Sequence, residues 1–378
     1  MPTYFIRDFY RKDIQEMIDI EAVDFLYRTS AQANIHNAFE KKEIPKYEYR
    51  LYSIKSVLYI RPDFVVDRDK RRLIVASGKK RATRKHIIAH NLQHAKKREI
   101  LNWKFTKGSN RGININFRAQ KIVKLKESVF LLANSGCKMY HHWMFDVLPM
   151  TYYAKDIENV KFLVNNPDVK FKAESLKLLG KSNILPIKAS KAMLIDKLTL
   201  VHSTSDVNYL DFEAIQWLVK QLKAAVTGLE NKKLPKKILI SRHGLDHPRE
   251  LINGEQVIKY FLDKGFTNID CGQLSFADQI RYFNNAEEVI FEHGSAGANC
   301  IFCKEGTLVL HLQPDKVNGF NQHAMASKYF GHTVGIVFGS SNNKIVNEIK
   351  PHNIPWKVDM EKIKEAYEKL LDIRQLSK

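Results

Sequence analysis

Cysteine is scarce in this chain, and the scarcity narrows what the chain is built from. Cys137, Cys271, Cys300 and Cys303 are the 4 cysteines among 378 residues. They are too few and too scattered for a disulfide framework, which points to a reducing cytoplasm. Cys300 and Cys303 form a lone CxxC pair inside a stretch expected to be helical, and one pair does not close a four-ligand zinc site. Long apolar runs are also lacking: none approaches the roughly 20 residues that span a bilayer. The opening residues, MPTYFIRDFYRKDIQEM, have neither the apolar core nor the small-residue cleavage site of a secretory signal. Acidic residues are in deficit, with 41 Asp and Glu against 61 Lys and Arg, a formal net charge of +20. That balance favours anionic partners: nucleic acid, an anionic membrane surface, acidic polysaccharide or a phosphorylated donor. Much of the excess lies in residues 68–104, including Lys79-Lys80-Arg81 and Lys96-Lys97-Arg98, where a solvated lysine-rich surface competes with a docking role.

What is present is the material of a large core. Hydrophobic residues make up 44% and charged residues 27% of a chain long enough for two ordinary domains. Residues 1–118 form a mixed basic region, with KSVLYIR, DFVVD and RRLIVAS as short strands and RKHIIAHNLQHAKKREILNWK as a basic helix. From Val129 strands and helices alternate: VFLLAN, then the helix HHWMFDVLPMTYYA, VKFLVN, a helix ending at Gly180, KLTLVHS, and a long helix stopped by Gly228. Residues 229–235 are charged, end in Pro235 and read as a linker. Alternation resumes over 236–350, with Asn253 and Ser275 as expected helix caps, Gln256 completing a capping box for the first. Residues 351–378 form an amphipathic helix expected to pack back on the first domain. This pattern predicts an α/β protein of two Rossmann-like domains, 119–228 and 236–350, facing a cleft, with a mixed α/β N-terminal extension. Such sheets bind ligands at the carboxyl ends of their strands.

Three constellations fall at such ends. In EEVIFEHGSAGANCIF, a buried-strand run breaks into His293-Gly294-Ser295-Ala296-Gly297-Ala298 before a short helix. Small residues let a ligand approach the backbone, and the amides of a helix's first turn suit a phosphate, although a tight turn without a ligand also explains the stretch. A neighbouring strand ends in ILISRHGLDHPRELINGEQ, carrying Arg242 and Arg249, and the guanidinium fork matches phosphate oxygens. In YHHWMFDVLPM, His142 and Asp146 stand four apart and share a helix face. A cleft-facing pair of this kind supplies a general base, while core packing with a His–Asp hydrogen bond is the plainer account of the spacing.

Taken together, these segments resemble glycosyltransferase family 61, an inverting family of the GT-B type. The resemblance rests on three signatures in order. The first is the aromatic HW-x-x-(D/E)-x-LP segment, Tyr140 to Pro149. The second is Ser241-Arg242 with Arg249-Glu250-Leu251-Ile252-Asn253 and Glu255. The third is His293-Gly294-Ser295-Ala296-Gly297-Ala298-Asn299 and Phe302, then Gly306 to Pro314. It spans about residues 125–335. His243 replaces a second arginine, and His311 stands where the family pattern has glutamate, which bears on how the donor's ribose or base is held.

The resemblance implies transfer of a hexosyl, pentosyl or N-acetylhexosaminyl group from a nucleotide-sugar donor, UDP-sugar foremost, to a glycan or lipid-linked acceptor, without a required cofactor or metal. By position, Asp146 is the base, with His142 as runner-up. Arg242, Arg249, His293, Gly294, Ser295, Ala296 and Gly297 hold the diphosphate, Asn299 and His311 line the donor pocket, and Tyr140, His141 and Trp143 lie on the acceptor side. The expected setting is surface-polysaccharide synthesis in the cytoplasm, peripheral to the inner membrane, with the basic region touching anionic lipid.

Competing readings are a metal-dependent enzyme using Asp67 and Asp69, a metal face of His86, His90 and His94, a nucleic-acid-binding protein, and an inactive structural protein of the same fold. Lys70-Arg71-Arg72 after Asp69 favours a hairpin turn, basic neighbours disfavour the histidine face, and no RNA-binding signature appears.

Overall fold

The computed structural model describes six strand segments and Lys97 before residue 122. It then describes residues 122–376 apart from 135, 188–191, 202–204, 207–208, 230–232, 245–248, 318–320 and 342–353. His86, His90, His94, Asp69 and most of the basic stretch lie outside the described residues. The chain divides into two compact units: one holds Pro45–Ala173 and Lys181–Asp206, the other Glu174–Gly180 and the chain from Val207 onward.

In the first unit, β1 (Thr3–Arg7), β6 (Gly112–Phe117) and β5 (Leu101–Phe105) form a three-stranded antiparallel sheet. The last residues of the expected basic helix are strand instead: LNWKF pairs with the alternating GININF, so strand pairing overrides the helical pattern there, and the rest of that stretch apart from Lys97 lies outside the described residues. A seven-stranded sheet runs β4-β3-β2-β10-β7-β8-β9, built from β2 (Leu51–Ile60), β3 (Phe64–Asp67), β4 (Arg72–Val75), β7 (Ile122–Leu132), β8 (Lys161–Val164), β9 (Ile184–Pro186) and β10 (Ala192–Val201). Strands β10, β7, β8 and β9 are mutually parallel, whereas β2, β3 and β4 form an antiparallel meander joined to β10. Asp67 sits opposite Arg72 in the β3–β4 pair, as a hairpin requires.

The helix expected over 141–154 is irregular. One α-turn (Tyr140–His142) widens into a π-turn (Trp143–Val147) and tightens into a 3₁₀ stretch (Leu148–Ala154). Pro149 lacks the N–H that would continue an α-ladder, and the backbone re-spaces its bonds around it. The run is anchored by burial: Trp143, Met144, Phe145, Val147 and Leu148 are fully inaccessible. Helix α1 (Lys170–Leu178) follows β8, and Gly180 ends its last turn at φ +65°.

The second unit carries a six-stranded sheet in the order β12-β11-β13-β14-β15-β16. Its strands are β11 (Lys237–Ile240), β12 (Thr267–Asn268), β13 (Glu288–Glu292), β14 (Leu308–Pro314), β15 (Thr333–Ser341) and β16 (Trp356–Lys357). All pairs are parallel except β15–β16. Helix α2 (Phe212–Ala225), capped by Asp211 through Ala214 N–H, belongs to this unit, and Phe212 stacks on Tyr329 at 4.1 Å. Helices α3 (Gly254–Asp263), α4 (Phe276–Asn285), α5 (Asn321–Tyr329) and α6 (Met360–Leu376) complete the layers. Ser275 caps α4 as its sequence predicts, accepting from Asp278 N–H at 3.0 Å. Asn253 makes no cap bond to α3; its amide is used elsewhere.

The amphipathic α6 packs on its own unit, where the sequence pattern suggested a return to the first domain. Ile363, Tyr367 and Leu370 join the core around Phe261, Leu310 and Val337. Buried Glu288 receives Tyr367 Oη–H at 2.6 Å and Arg374 Nη2 at 2.9 Å, and burial beside this carboxylate pushes the tyrosine pKa up. Among the described residues, no helix is long and apolar enough to cross a membrane.

Candidate functional site

Strands β11 and β13 lie side by side with Ile240 opposite Phe291, so their carboxyl ends deliver Ser241-Arg242 and Glu292-His293-Gly294 to one place. Ser241 Oγ–H donates to Glu292 Oε1 at 2.7 Å and accepts His243 N–H at 3.0 Å, which ties the two ends together. Gly294 lets Arg242 approach closely: a Cβ there would stand 2.9 Å from Arg242 Nη1. Arg242 is half-buried, and its Nε has no hydrogen-bond partner. Burial lowers the Arg242 pKa, and the Glu292 carboxylate partly restores it. The Arg249 guanidinium is brought down to about 10, first by burial and then by repulsion from Arg242, and it remains charged at neutral pH. Burial likewise raises the Glu292 pKa, opposed by the Ser241 and Arg242 contacts. Two cations near enough for one to repel the other by a strand end would suit a multiply charged anion.

Behind these arginines lies a layer of rings. His311 stacks on Phe291 at 4.3 Å between centroids, and His293 and His323 lie 5.4 and 5.8 Å from it. His293 N–H donates to Leu312 O at 2.9 Å, while its Nδ1 meets His311 Nε2 at 3.3 Å. Burial, with His323 and Arg249 nearby, holds the His311 pKa well below the usual histidine range, so the ring is neutral at pH 7. Gly297 lies against the Phe291 and His323 rings, and Ser295 and Ala296 are partly exposed at the start of the 295–302 turn. The arrangement thus brings together Arg242, Arg249, His293, Gly294 and His311.

Asn299 belongs to the interior instead. It is fully buried, and its Nδ2 donates to Gln279 Oε1 at 2.8 Å, fastening the turn to α4. The sequence reading missed His323 and Glu292. His323 sits in a helix with no flanking motif, whereas the strand-end position of Glu292, one residue before His293, was the available signal.

In the first unit, His142 Nδ1 and Asp146 Oδ2 meet at 2.6 Å. The carboxylate is nearly buried and the imidazole about one-third exposed, so the histidine is the wetter partner. The widened turn sets these side chains one above the other, as four-residue spacing requires. His141 packs edge-on against Phe145, and partly exposed Tyr140 packs edge-on against Phe171. Trp143 is not an acceptor-side surface: it is fully inaccessible, with Lys172 Nζ 5.3 Å above its ring. Its bulk fixes the run that presents Tyr140, His141 and His142. Among the described residues, no group of three or more His, Cys, Asp or Glu is arranged to hold a metal ion.

Parallel strands ending in a cationic, glycine-lined turn, with a separate His–Asp pair in the other unit, make an α/β protein compatible with a Rossmann-like transferase fold. The family model described as Glycosyltransferase 61 matches residues 140–310. The match agrees with the motif resemblance to glycosyltransferase family 61, and it takes in Asp146, Arg242, Arg249 and His293. His311 lies one position beyond it. No curated protein matches the chain.

Proposed function

We propose that the chain is an inverting glycosyltransferase that moves a sugar from a nucleotide-sugar donor, UDP-sugar foremost, to a glycan or lipid-linked acceptor in surface-polysaccharide synthesis. The observation that carries this is Arg242 at Gly294 with Arg249 near enough to be repelled by it, burial weakening both guanidiniums' hold on their charge and Arg242 weakening that of Arg249 further. A diphosphate relieves that repulsion, and it is the group that must be stabilised as it departs. In the reaction the acceptor hydroxyl oxygen forms the new bond to the anomeric carbon while the bond from that carbon to the diphosphate oxygen breaks. Asp146, oriented by His142, takes the hydroxyl proton, and the arginines receive the charge of the leaving nucleotide. Inversion follows from attack opposite the leaving group, which the GT-B arrangement of two facing domains would serve. The guanidiniums supply the positive potential, so no metal is required. The peripheral-membrane setting and the contact of basic residues with anionic lipid belong to the same proposal.

The test is transfer itself. Purified protein with a UDP-sugar panel and a soluble glycan acceptor should release UDP in EDTA at the rate seen with Mg²⁺, and NMR of the product should show the anomer opposite to the donor's. Retention of configuration, or release only with added metal, would overturn the mechanism.

A further inference from the structure

The residues that follow Arg249 are bonded to a segment 105 residues further along the chain. Directly after the arginine, the chain is seized on three levels. Trp356 N–H donates to Glu250 O at 3.0 Å, and Ile252 N–H donates to Trp356 O at 2.8 Å, making a parallel bridge between Leu251 and Trp356. Next, the Asn253 side chain pairs with one backbone unit in both directions. Its Nδ2 donates to Val358 O at 2.8 Å, and its Oδ1 accepts Val358 N–H at 3.1 Å. Leu251, Trp356 and Val358 are buried in the sheet's core, and Asn253 is buried with them.

The holding segment is itself fixed. Strand β16 pairs with β15, Ser340 opposite Lys357 and Ser341 opposite Trp356. Gly339 admits it closely, since a Cβ there would lie 2.5 Å from both Lys357 O and the Trp356 ring. Helix α6 begins just beyond and is tied to Glu288 through Tyr367 and Arg374.

We infer that Asn253 and the 356–358 segment are positioning elements for the donor site, which hold Arg249 where the nucleotide diphosphate binds. This rests on the reading of Arg242 and Arg249 as diphosphate ligands. Neither Asn253 nor Trp356 touches the donor; they act through Arg249. The side chain expected to cap α3 thus serves as a two-way backbone mimic that joins the C-terminal segment to the site. An unmade amide pair also leaves Val358 N–H and C=O buried and unmatched, so the clasp is all-or-none in character.

The test is a double-mutant cycle read by calorimetric titration with UDP and with inorganic pyrophosphate, on the wild-type chain, Asn253→Ala, Arg249→Ala and the double variant. Asn253→Ala should weaken UDP about tenfold, raising donor KM with kcat little changed, as expected when a charge-assisted contact is misplaced. In the Arg249→Ala background it should weaken UDP no further, while still lowering Tm by the same amount as in the wild type. Gly339→Ala, which displaces Trp356 from the opposite side, should repeat the pattern and serves if Asn253→Ala does not fold. An equal loss of affinity in both backgrounds overturns the inference and leaves the function standing. A wild-type chain that takes up neither UDP nor pyrophosphate overturns the function, and the inference with it.

Discussion

Arg242→Ala should lower kcat/KM for the donor by about a hundredfold to a thousandfold, roughly 3–4 kcal/mol of transition-state stabilisation. Arg242 is the cation nearest the strand-end turn, at contact distance from Gly294, and it is already half-desolvated before a ligand arrives. Little reorganisation is needed when charge develops on the leaving diphosphate, and pre-set donors of this kind carry the largest single share of such catalysis. The loss is bounded because Arg249 stays and, freed of its repulsive neighbour, holds its proton more firmly. Arg242→Lys should recover only part of the loss, since the ammonium keeps the charge and loses the fork. Steady-state kinetics on the three proteins at fixed acceptor measure this. Arg242→Ala within a factor of two or three of wild type would remove the arginine from the site.

Asp146→Asn should lower kcat by about a hundredfold to ten-thousandfold, the range that a positioned general base contributes. Asparagine preserves the shape and can still accept a hydrogen bond from His142, but it takes no proton. UDP affinity should not change, because no donor contact is lost. His142→Ala should fall less, by removing the partner at 2.6 Å that orients the carboxylate. The reverse order of severity would give the base role to His142, the more exposed of the two. Single-turnover rates with saturating donor separate the chemical step from binding.

The second unit was legible because parallel strands buried on both faces write continuous apolar runs, as in ILI, VIF and LVLHL, and turn residues punctuate them. Arg242 and His293-Gly294 could be placed together because adjacent parallel strands deliver their carboxyl ends to one edge. Arg249 could not be placed the same way, since the residues directly after it, Glu250, Ile252 and Asn253, bond to the remote Trp356 and Val358. Asn253 shows why: an amide side chain serves a local helix N-terminus or a remote strand equally well, and spacing does not distinguish them. Trp143 and Asn299 share a second reason. Each sits inside a motif whose neighbours carry the chemistry, but its own side chain turns inward to hold the backbone. Before residue 122 the strand LNWKF was hidden at the end of a basic helical pattern, and its partner GININF alternates with asparagine instead of charge. The irregular 140–154 run was predicted as helix, and only its π and 3₁₀ spacing around Pro149 went unread.

The most direct test of the donor site is thermal unfolding of the wild-type chain, Arg242→Ala and Arg249→Ala against UDP, GDP, CDP and CMP in EDTA. At a hundred times its dissociation constant a ligand adds about 2.7 kcal/mol to stability. One nucleotide diphosphate, UDP first, should raise the wild-type Tm by several degrees and leave both arginine variants unmoved. A shift that persists in both variants, or no shift with any nucleotide, would contradict the account.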